Sequence, residues 1–161
     1  MRILGIDPGI GRVGWGIVRT ENGELRMENC GCIETSKVLS VELRLKEVYE
    51  QIVQIIREYK PDAVAIEELF FNTNVTTALT VGQARGVLLL AAAQHNLQIA
   101  AYKPQEVKIA VTGYGRATKG QVGQMVKTIL KLSKVPTPDD TADALAIALT
   151  HAFSYKVHML K

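Results

Sequence analysis

Two short apolar runs that each end on an acidic residue constrain this sequence more than any other feature. Residues 3–6 (Ile-Leu-Gly-Ile) lead directly to Asp7, and residues 63–66 (Ala-Val-Ala-Ile) lead directly to Glu67. Runs of this length predict strands that are buried on both faces of a sheet. A carboxylate at the end of such a strand is costly unless a cation or a hydrogen-bond donor satisfies it. The pattern therefore predicts a covered sheet with a charged site at one end.

Two further acids, Asp140 and Asp143, begin an apolar helical segment and share one helix face because they are three residues apart. Structural roles exist for some acids, since Asp7 precedes a Pro-Gly turn and Asp140 lies at a helix start. Asp143 is harder to explain in this way, because its neighbours are small and apolar. Together the four carboxylates predict a site for Mg²⁺, which prefers such oxygens and supports phosphodiester hydrolysis when two ions are bound.

The order of the predicted elements indicates one mixed α/β domain that covers residues 1–161. Three antiparallel strands come first, and the Asn22-Gly23 pair predicts the hairpin between the second and third. The remaining elements alternate and then become helical, which predicts a five-stranded sheet with helices on both faces. The later elements are predicted at 41–60 (helix), 62–67 (strand), 75–94 (helix), 97–102 (strand), 104–111, 119–132 and 138–155 (helices). Residues 7–14 are predicted as a glycine-rich turn, so the second strand is expected to begin at Trp15.

Three helix starts carry capping signals in the sequence. Ser40 can cap the helix that begins at residue 41, and Thr118 to Gln121 form a capping-box pattern. In the last helix, Pro138 is predicted as the first residue, with Asp139 and Asp140 in the first turn.

Positive charge is concentrated between residues 100 and 134, where seven Lys and Arg residues face a single acid, Glu106. Such a stretch is either an ordinary solvated surface or a contact surface for a phosphate backbone. No apolar run of about 18 residues is apparent, so we expect no membrane segment and a cytoplasmic location. Cys30 and Cys32 are interpreted as small core residues, because the histidines are not spaced as further metal ligands.

Four segments together resemble the RuvC family of Holliday-junction resolvases, which have a ribonuclease-H-like fold. They are Leu4–Gly9, Ala65–Phe71, Gly82–Gly86 and Ala142–Ala146. The resemblance implies a homodimer that uses Mg²⁺, with Mn²⁺ as a substitute, to cut two opposed strands of a four-way DNA junction. It also implies a junction-migrating helicase partner of the RuvA–RuvB type. On matching positions it makes Asp7, Glu67, Asp140 and Asp143 the metal-binding catalytic set; some members carry His where Asp140 stands.

The resemblance also assigns residues for binding DNA and a second subunit. Phe70 matches an aromatic residue that stacks on an unpaired junction base. Lys108 and Lys119 match basic residues near the scissile phosphate, and Arg116 is a further candidate for a backbone contact. Small residues at four-residue spacing on the second helix, Ala78, Gly82 and Gly86, allow another helix to approach closely, either inside the monomer or from a second subunit. The resemblance favours the dimer interface. Two departures are the uncharged segment 72–74, where a basic residue is common, and Val13, where a threonine is common.

Other functions remain compatible with the sequence. One alternative is a different ribonuclease-H-like nuclease that acts on RNA or on other branched DNA. Another is a junction-binding module without cleavage, although it leaves the four acids unexplained. A third is an actin-like or sugar-kinase-like phosphotransferase, because Asp7–Gly11 resembles the first phosphate loop of that fold; such proteins need two similar domains.

Overall fold

The sheet has the mixed topology that the order of the elements predicts. The computed structural model describes residues 1–69 and 75–159, and across these the strand order is β3-β2-β1-β4-β5. β1 and β3 pair antiparallel with β2, whereas β4 pairs parallel with both β1 and β5. The strands are β1 (Arg2–Asp7), β2 (Arg12–Glu21), β3 (Glu24–Glu34), β4 (Ala63–Glu67) and β5 (Gln98–Tyr102).

Helices cover both faces of this sheet, and each face has its own apolar core. The helices are α1 (Val41–Tyr59), α2 (Val75–Gln94), α3 (Pro104–Thr112), α4 (Lys119–Ile129) and α5 (Asp139–Met159). One core lies under α1 and α2 and includes Leu4, Ile52 and Leu88. The other lies under α3, α4 and α5 and includes Ile3 and Leu149. The predicted five-stranded α/β fold is therefore confirmed.

Some element boundaries differ from the predictions, for local physical reasons. The glycine-rich segment before Trp15 was predicted as a turn up to Gly14, but β2 already begins at Arg12. Val13 is fully buried and pairs with Ile33, so burial overrides the turn signal of the flanking glycines. α4 ends at Ile129, earlier than predicted, and Lys131 adopts a left-handed conformation beyond it.

The structure confirms some of the predicted helix caps and not others. Thr118 and Gln121 form the predicted reciprocal capping box at the start of α4. Ser40 occupies the N-cap position of α1, but its side chain makes no capping hydrogen bond. Pro138 precedes α5 instead of being its first residue, while Asp139 and Asp140 lie in the first turn as predicted.

The expectation that no apolar segment is long enough to cross a membrane needs correction for α2. Residues Thr76–Gln94 have a mean hydropathy of 1.2 over 19 residues, which satisfies the length and composition of a membrane span. Only 22% of this segment is buried inside the protein, and Leu79 and Leu90 are largely exposed. α2 therefore presents an apolar surface that the described part of the monomer does not cover.

Close contact between α5 and the sheet depends on small residues on β1 and β2. A Cβ atom at Gly5 would lie 2.1 Å from the carbonyl oxygen of Ala144, and one at Gly14 would lie 1.9 Å from that of Asp140. Gly5 pairs with Gly16 across the two strands, which extends the flat surface. Because any side chain at these positions would push the helix away, the glycines determine how closely the first turns of α5 approach Asp7.

Candidate active site

The strand register brings Asp7 and Glu67 to the same edge of the sheet. β1 and β4 run parallel, and Ile6 is aligned with Ile66, so the residue that follows each of them occupies the same level. In-register residues on neighbouring strands point to the same face. The two carboxylates that end the apolar runs are thus neighbours.

α5 adds two acids to this edge. Gly14 is paired with Asp7 and lies directly under the backbone of Asp140, which places the first turn of α5 over the end of β1. Asp143 follows almost one helical turn later. Asp143 lines the same cavity as Asp7 and Glu67, whereas Asp140 does not line it and lies within 4.0 Å of Arg12.

The cavity above these acids has a volume of about 290 Å³. Two lysines from separate elements line it, Lys108 on α3 and Lys119 at the start of α4. The capping box fixes the backbone at the start of α4 and so directs Lys119 to the cavity. The remaining walls are apolar and are formed by Pro104, Val107, Val122 and Ile147. The site therefore combines acids, lysines and a low-dielectric wall.

Burial and crowding of like charges raise the pKa values of Asp7 and Glu67. Loss of solvent, followed by the neighbouring charges of Glu67, Asp143 and Asp140 in that order, raises the pKa of Asp7 from 3.8 to about 8, while the charge of Lys119 opposes the increase. The pKa of Glu67 is also raised, first by burial and then by Asp143, while Lys119 and Lys108 oppose the increase. Without added positive charge, these carboxylates cannot all be ionised cheaply.

Lys119 partly supplies that charge. Its Nζ donates a hydrogen bond to Oδ2 of Asp143 over 3.0 Å. This bond raises the pKa of Lys119, and the charges of Asp143 and Asp7 act in the same direction. Because the lysine side chain is 69% exposed, the ion pair can be exchanged for a different partner at small energetic cost.

The donor set fits a hard divalent cation in its chemistry. Asp7, Glu67 and Asp143 offer carboxylate oxygens, which are the ligands that Mg²⁺ prefers. The raised pKa of Asp7 marks a position where a cation would replace a proton. In their present conformations, no three Asp, Glu, His or Cys side chains within the described residues 1–69 and 75–159 are close enough together to coordinate one metal ion. Lys119 holds one oxygen of Asp143 instead.

The other predicted contact residues are not all at this cavity. Lys108 and Lys119 line it, but Arg116 is exposed on the loop between α3 and α4 and does not. Phe70 and the uncharged segment 72–74 lie outside the described residues. Both cysteines are only partly buried, and Cys30 packs against the core under α5, so the interpretation as small core residues is met in part for Cys30 and not for Cys32.

The small residues of α2 lie on an open surface. Apart from the backbone of α2 itself, no atom of the described residues comes within 4 Å of a Cβ atom placed at Gly86, and at Gly82 the nearest is a methyl of Leu69 at 3.6 Å. Ala78 is partly exposed, and Leu79 and Leu90 flank the stripe with exposed fractions of 62% and 53%. The monomer thus leaves room for another helix here.

Two arginines at the site were given no role from the sequence. Arg85 donates a hydrogen bond from Nε to the carbonyl oxygen of Glu67 over 3.0 Å, and so fixes the end of β4. Arg12 approaches Asp140 to 4.0 Å from the start of β2. The sequence signal for Arg85 was its place within the segment Gly82–Gly86, but its contact with Glu67 bridges 18 residues and cannot be read locally.

Comparison with known proteins identifies the family. The family model described as crossover junction endodeoxyribonuclease RuvC matches residues 3–151. A relative of that name from Alkaliphilus oremlandii is 56% identical over 152 residues, which are 94% of this chain and 93% of that protein. The chain belongs to the RuvC family. The family predicted from the four motif segments is therefore confirmed, and the relatives that match are named crossover junction endodeoxyribonucleases.

Solved structures of the RuvC family agree with this assignment. Thermus thermophilus RuvC in complex with Holliday junction substrate is 38% identical, with a TM-score of 0.93 over 98% of this chain and 96% of that one. The yeast mitochondrial Holliday junction resolvase Ydc2 is 16% identical, with a TM-score of 0.67 over 92% of this chain and 76% of that one. The latter similarity shows the shared ribonuclease-H-like fold alone. Membership of a ribonuclease-H-like nuclease family also implies dependence on a divalent metal.

Proposed function

We propose that this chain is a magnesium-dependent endonuclease that resolves four-way DNA junctions by paired nicks in opposed strands, during homologous recombination and DNA repair. The observation that carries the proposal is the convergence of Asp7, Glu67 and Asp143 with Lys108 and Lys119 in one open cavity. Membership of the RuvC family supports the substrate class, because a member was solved with a Holliday junction.

The acids divide into an inner group and an outer member. Asp7, Glu67 and Asp143 line the cavity and would hold Mg²⁺, with two ions in the complete site. When bound, the ions supply an activated water and stabilise charge on the leaving oxygen of the phosphodiester. Asp140 acts on the charge of Asp7 and is an outer ligand in this proposal.

The lysines have a role that the acids cannot perform. Acidic side chains repel DNA phosphates, so the incoming strand needs positive charge on the protein as well as at the metal. Lys108 lies near Glu67 and Lys119 near Asp143, so both can contact oxygens of the phosphate that enters the cavity. Lys119 would then exchange Asp143 for that phosphate. Phe70 and Arg116 complete the proposed DNA contacts.

The substrate has near two-fold symmetry, and we propose that the protein matches it as a homodimer. The open apolar stripe of α2 supports this, because small residues let an identical helix approach closely in an isologous contact. Ala78, Gly82 and Gly86 would lie at the contact, and Leu79 and Leu90 would be covered there. A dimer of this kind would also cover the part of α2 that resembles a membrane span.

The cellular setting is proposed from the family alone. A junction-migrating helicase complex of the RuvA–RuvB type would deliver the substrate in the cytoplasm. Copurification of the chain with such a complex on junction DNA, compared with linear duplex, tests this part independently of cleavage.

Cleavage of a panel of substrates by wild type and by Asp7→Asn tests the proposed function. We expect wild type to cut a synthetic four-way junction and to leave duplex, flap and RNA–DNA hybrid largely intact. Asp7→Asn should bind the junction but not cut it, because it removes one charged ligand without adding bulk. Preferential cutting of the hybrid or the flap would instead establish a different ribonuclease-H-like nuclease. Full cutting by Asp7→Asn would refute the metal site.

A further inference from the structure

A second group of cationic side chains lies away from Lys108 and Lys119, beside the turn that joins β1 to β2. Arg12 is the first residue of β2, and Arg44 comes from the first turns of α1. Both lie at the end of the sheet where Asp7 is found: Arg12 approaches Asp140 on the face that α5 covers, and Arg44, from α1 on the opposite face, packs against the turn that follows Asp7. The basic cluster noted in the sequence between residues 100 and 134 does not include them.

Arg44 is held in place by a chain of hydrogen bonds. Its Nε donates to Oγ1 of Thr35 over 2.9 Å, and the hydroxyl of Thr35 in turn donates to the carbonyl oxygen of Ile10. The backbone N–H of Thr35 donates to the carbonyl oxygen of Gly11 over 3.1 Å. Nη2 of Arg44 lies 3.4 Å from where a Cβ atom at Gly11 would be. The guanidinium is thus fixed close to the turn backbone.

Among the described residues, the guanidinium of Arg44 has no charged partner. Within the described part of the chain, no carboxylate lies within 4.0 Å of Arg44. Nε is used by Thr35, which leaves the two Nη groups to bind another acceptor. A guanidinium that is oriented in advance loses little side-chain entropy when it binds a planar or tetrahedral oxyanion.

Arg12 is held more loosely. It lies 3.4 Å from Glu34 and 4.0 Å from Asp140, and its side chain is 58% exposed. Exposed ion pairs contribute about 0–1 kcal/mol, so Arg12 can leave both acids for a stronger acceptor at little cost. A phosphate diester is such an acceptor, because it can take two parallel hydrogen bonds from one guanidinium.

We propose that Arg12 and Arg44 form a second phosphate-binding wall, which contacts the DNA backbone on the β1–β2 side of the catalytic acids. The proposal rests on the proposed function, since it concerns how the protein binds the same DNA strand that enters the cavity. A strand passing over Asp7 and Asp140 meets negative charge there, and the lysines of the cavity come from α3 and α4, whereas the two arginines come from β2 and α1. The contacts would be independent of sequence, because they reach phosphate oxygens and not base edges.

The salt dependence of junction binding tests this wall. Binding is measured in EDTA, which prevents metal-dependent cleavage, for wild type, Arg12→Gln, Arg44→Met and the double variant. A plot of log Kobs against log[salt] has a negative slope, and each lost phosphate contact makes that slope shallower by about 0.9. We therefore expect the magnitude of the slope to decrease by about one for each single variant and by about two for the double variant. The affinity near 0.15 M salt should fall about three- to tenfold for each lost contact.

The control is Arg57→Gln on the same helix as Arg44. Arg57 lies in the last turn of α1, at the end away from the acids, and its loss should leave the slope unchanged. Slopes that stay at the wild-type value in folded Arg12→Gln and Arg44→Met proteins, or an equal decrease in Arg57→Gln, would overturn the proposal. A lower melting temperature of Arg44→Met with an unchanged slope would show that Arg44 only braces the turn. If Arg44→Met does not fold, exposed Arg12 decides the question alone.

These results are separable from the test of the proposed function. Junction cutting by wild type in Mg²⁺ establishes the activity whatever the slopes are. Wild type that neither binds nor cuts a junction would refute the proposed function itself.

Discussion

Replacement of Asp7 by asparagine should stabilise the metal-free protein at neutral pH, although it should abolish cleavage. The folded protein holds the Asp7 proton up to a pKa of about 8, whereas the unfolded chain releases it near 3.8. Between these values the unfolded state binds fewer protons, so ionisation favours unfolding increasingly as the pH rises. Asparagine has a similar shape and cannot ionise, so it removes this penalty.

The size of the effect follows from the two pKa values. At pH 7 the unfolded carboxyl is about three pH units above its pKa, and each unit is worth about 1.4 kcal/mol, which gives an upper limit of about 4 kcal/mol. Asp7 keeps some contact with solvent, so we expect the variant to gain between about 1 and 4 kcal/mol in its free energy of unfolding at pH 7. The gain should shrink toward zero near pH 4, where both states hold the proton.

Urea unfolding in EDTA between pH 4 and pH 8 measures this difference. Glu50→Gln is the control, because Glu50 is an exposed acid on α1 and forms an ion pair with Lys46 at 3.7 Å. Its substitution should change stability by less than about 0.5 kcal/mol. Addition of Mg²⁺ should stabilise wild type more than Asp7→Asn and so narrow the gap. A variant no more stable than wild type at pH 7, or a gap that does not vary with pH, would refute the argument from burial.

Three further predictions concern the other parts of the site. Glu67→Gln should lower the rate of junction cleavage at least about a hundredfold while binding in EDTA is kept or strengthened, as steady-state cleavage and a binding titration would show. Lys119→Met should slow cleavage about ten- to a hundredfold. It should also shift the acid limb of the pH–rate profile to higher pH, because Lys119 lowers the pKa values of Asp7 and Glu67. An acid limb at the wild-type pH would contradict this role. Gly14→Ala should destabilise the protein by about 2–4 kcal/mol, because the new Cβ atom must displace α5. The control Gly120→Ala should not destabilise it, because its Cβ atom would meet only an ordinary contact at 3.9 Å. Thermal unfolding of both variants measures the difference.

Much of this architecture can be predicted from the sequence because strong local signals coincide with burial. The runs that end at Asp7 and Glu67 are continuous and apolar, so they are recognisable as buried strands without knowledge of their partners. Asn22-Gly23 adopts the positive φ angles of 51° and 82° that a tight hairpin needs, which the residue types themselves predict. Asp143 stands out because a charge among alanines has no ordinary structural reason.

Features that depend on register or on distant contacts are less predictable. The start of β2 was placed too late because Val13 lies between glycines, and its burial arises from pairing with β3. The hydrogen bond from Arg85 to Glu67 and the approach of Arg12 to Asp140 both join residues far apart in sequence. Likewise, the sequence predicts that all four acids belong to one metal site, whereas the packing of α5 places Asp143 in the cavity with Asp7 and Glu67 and leaves Asp140 outside it.

Strand cleavage of a synthetic four-way junction, mapped to the nucleotide with and without Mg²⁺, tests the central claim most directly. The proposed function predicts paired nicks in two opposed strands near the branch point, formed only when the divalent ion is present, and no comparable cutting of linear duplex. An intact junction in Mg²⁺, cleavage that persists in EDTA, or equal cutting of duplex and junction would contradict it.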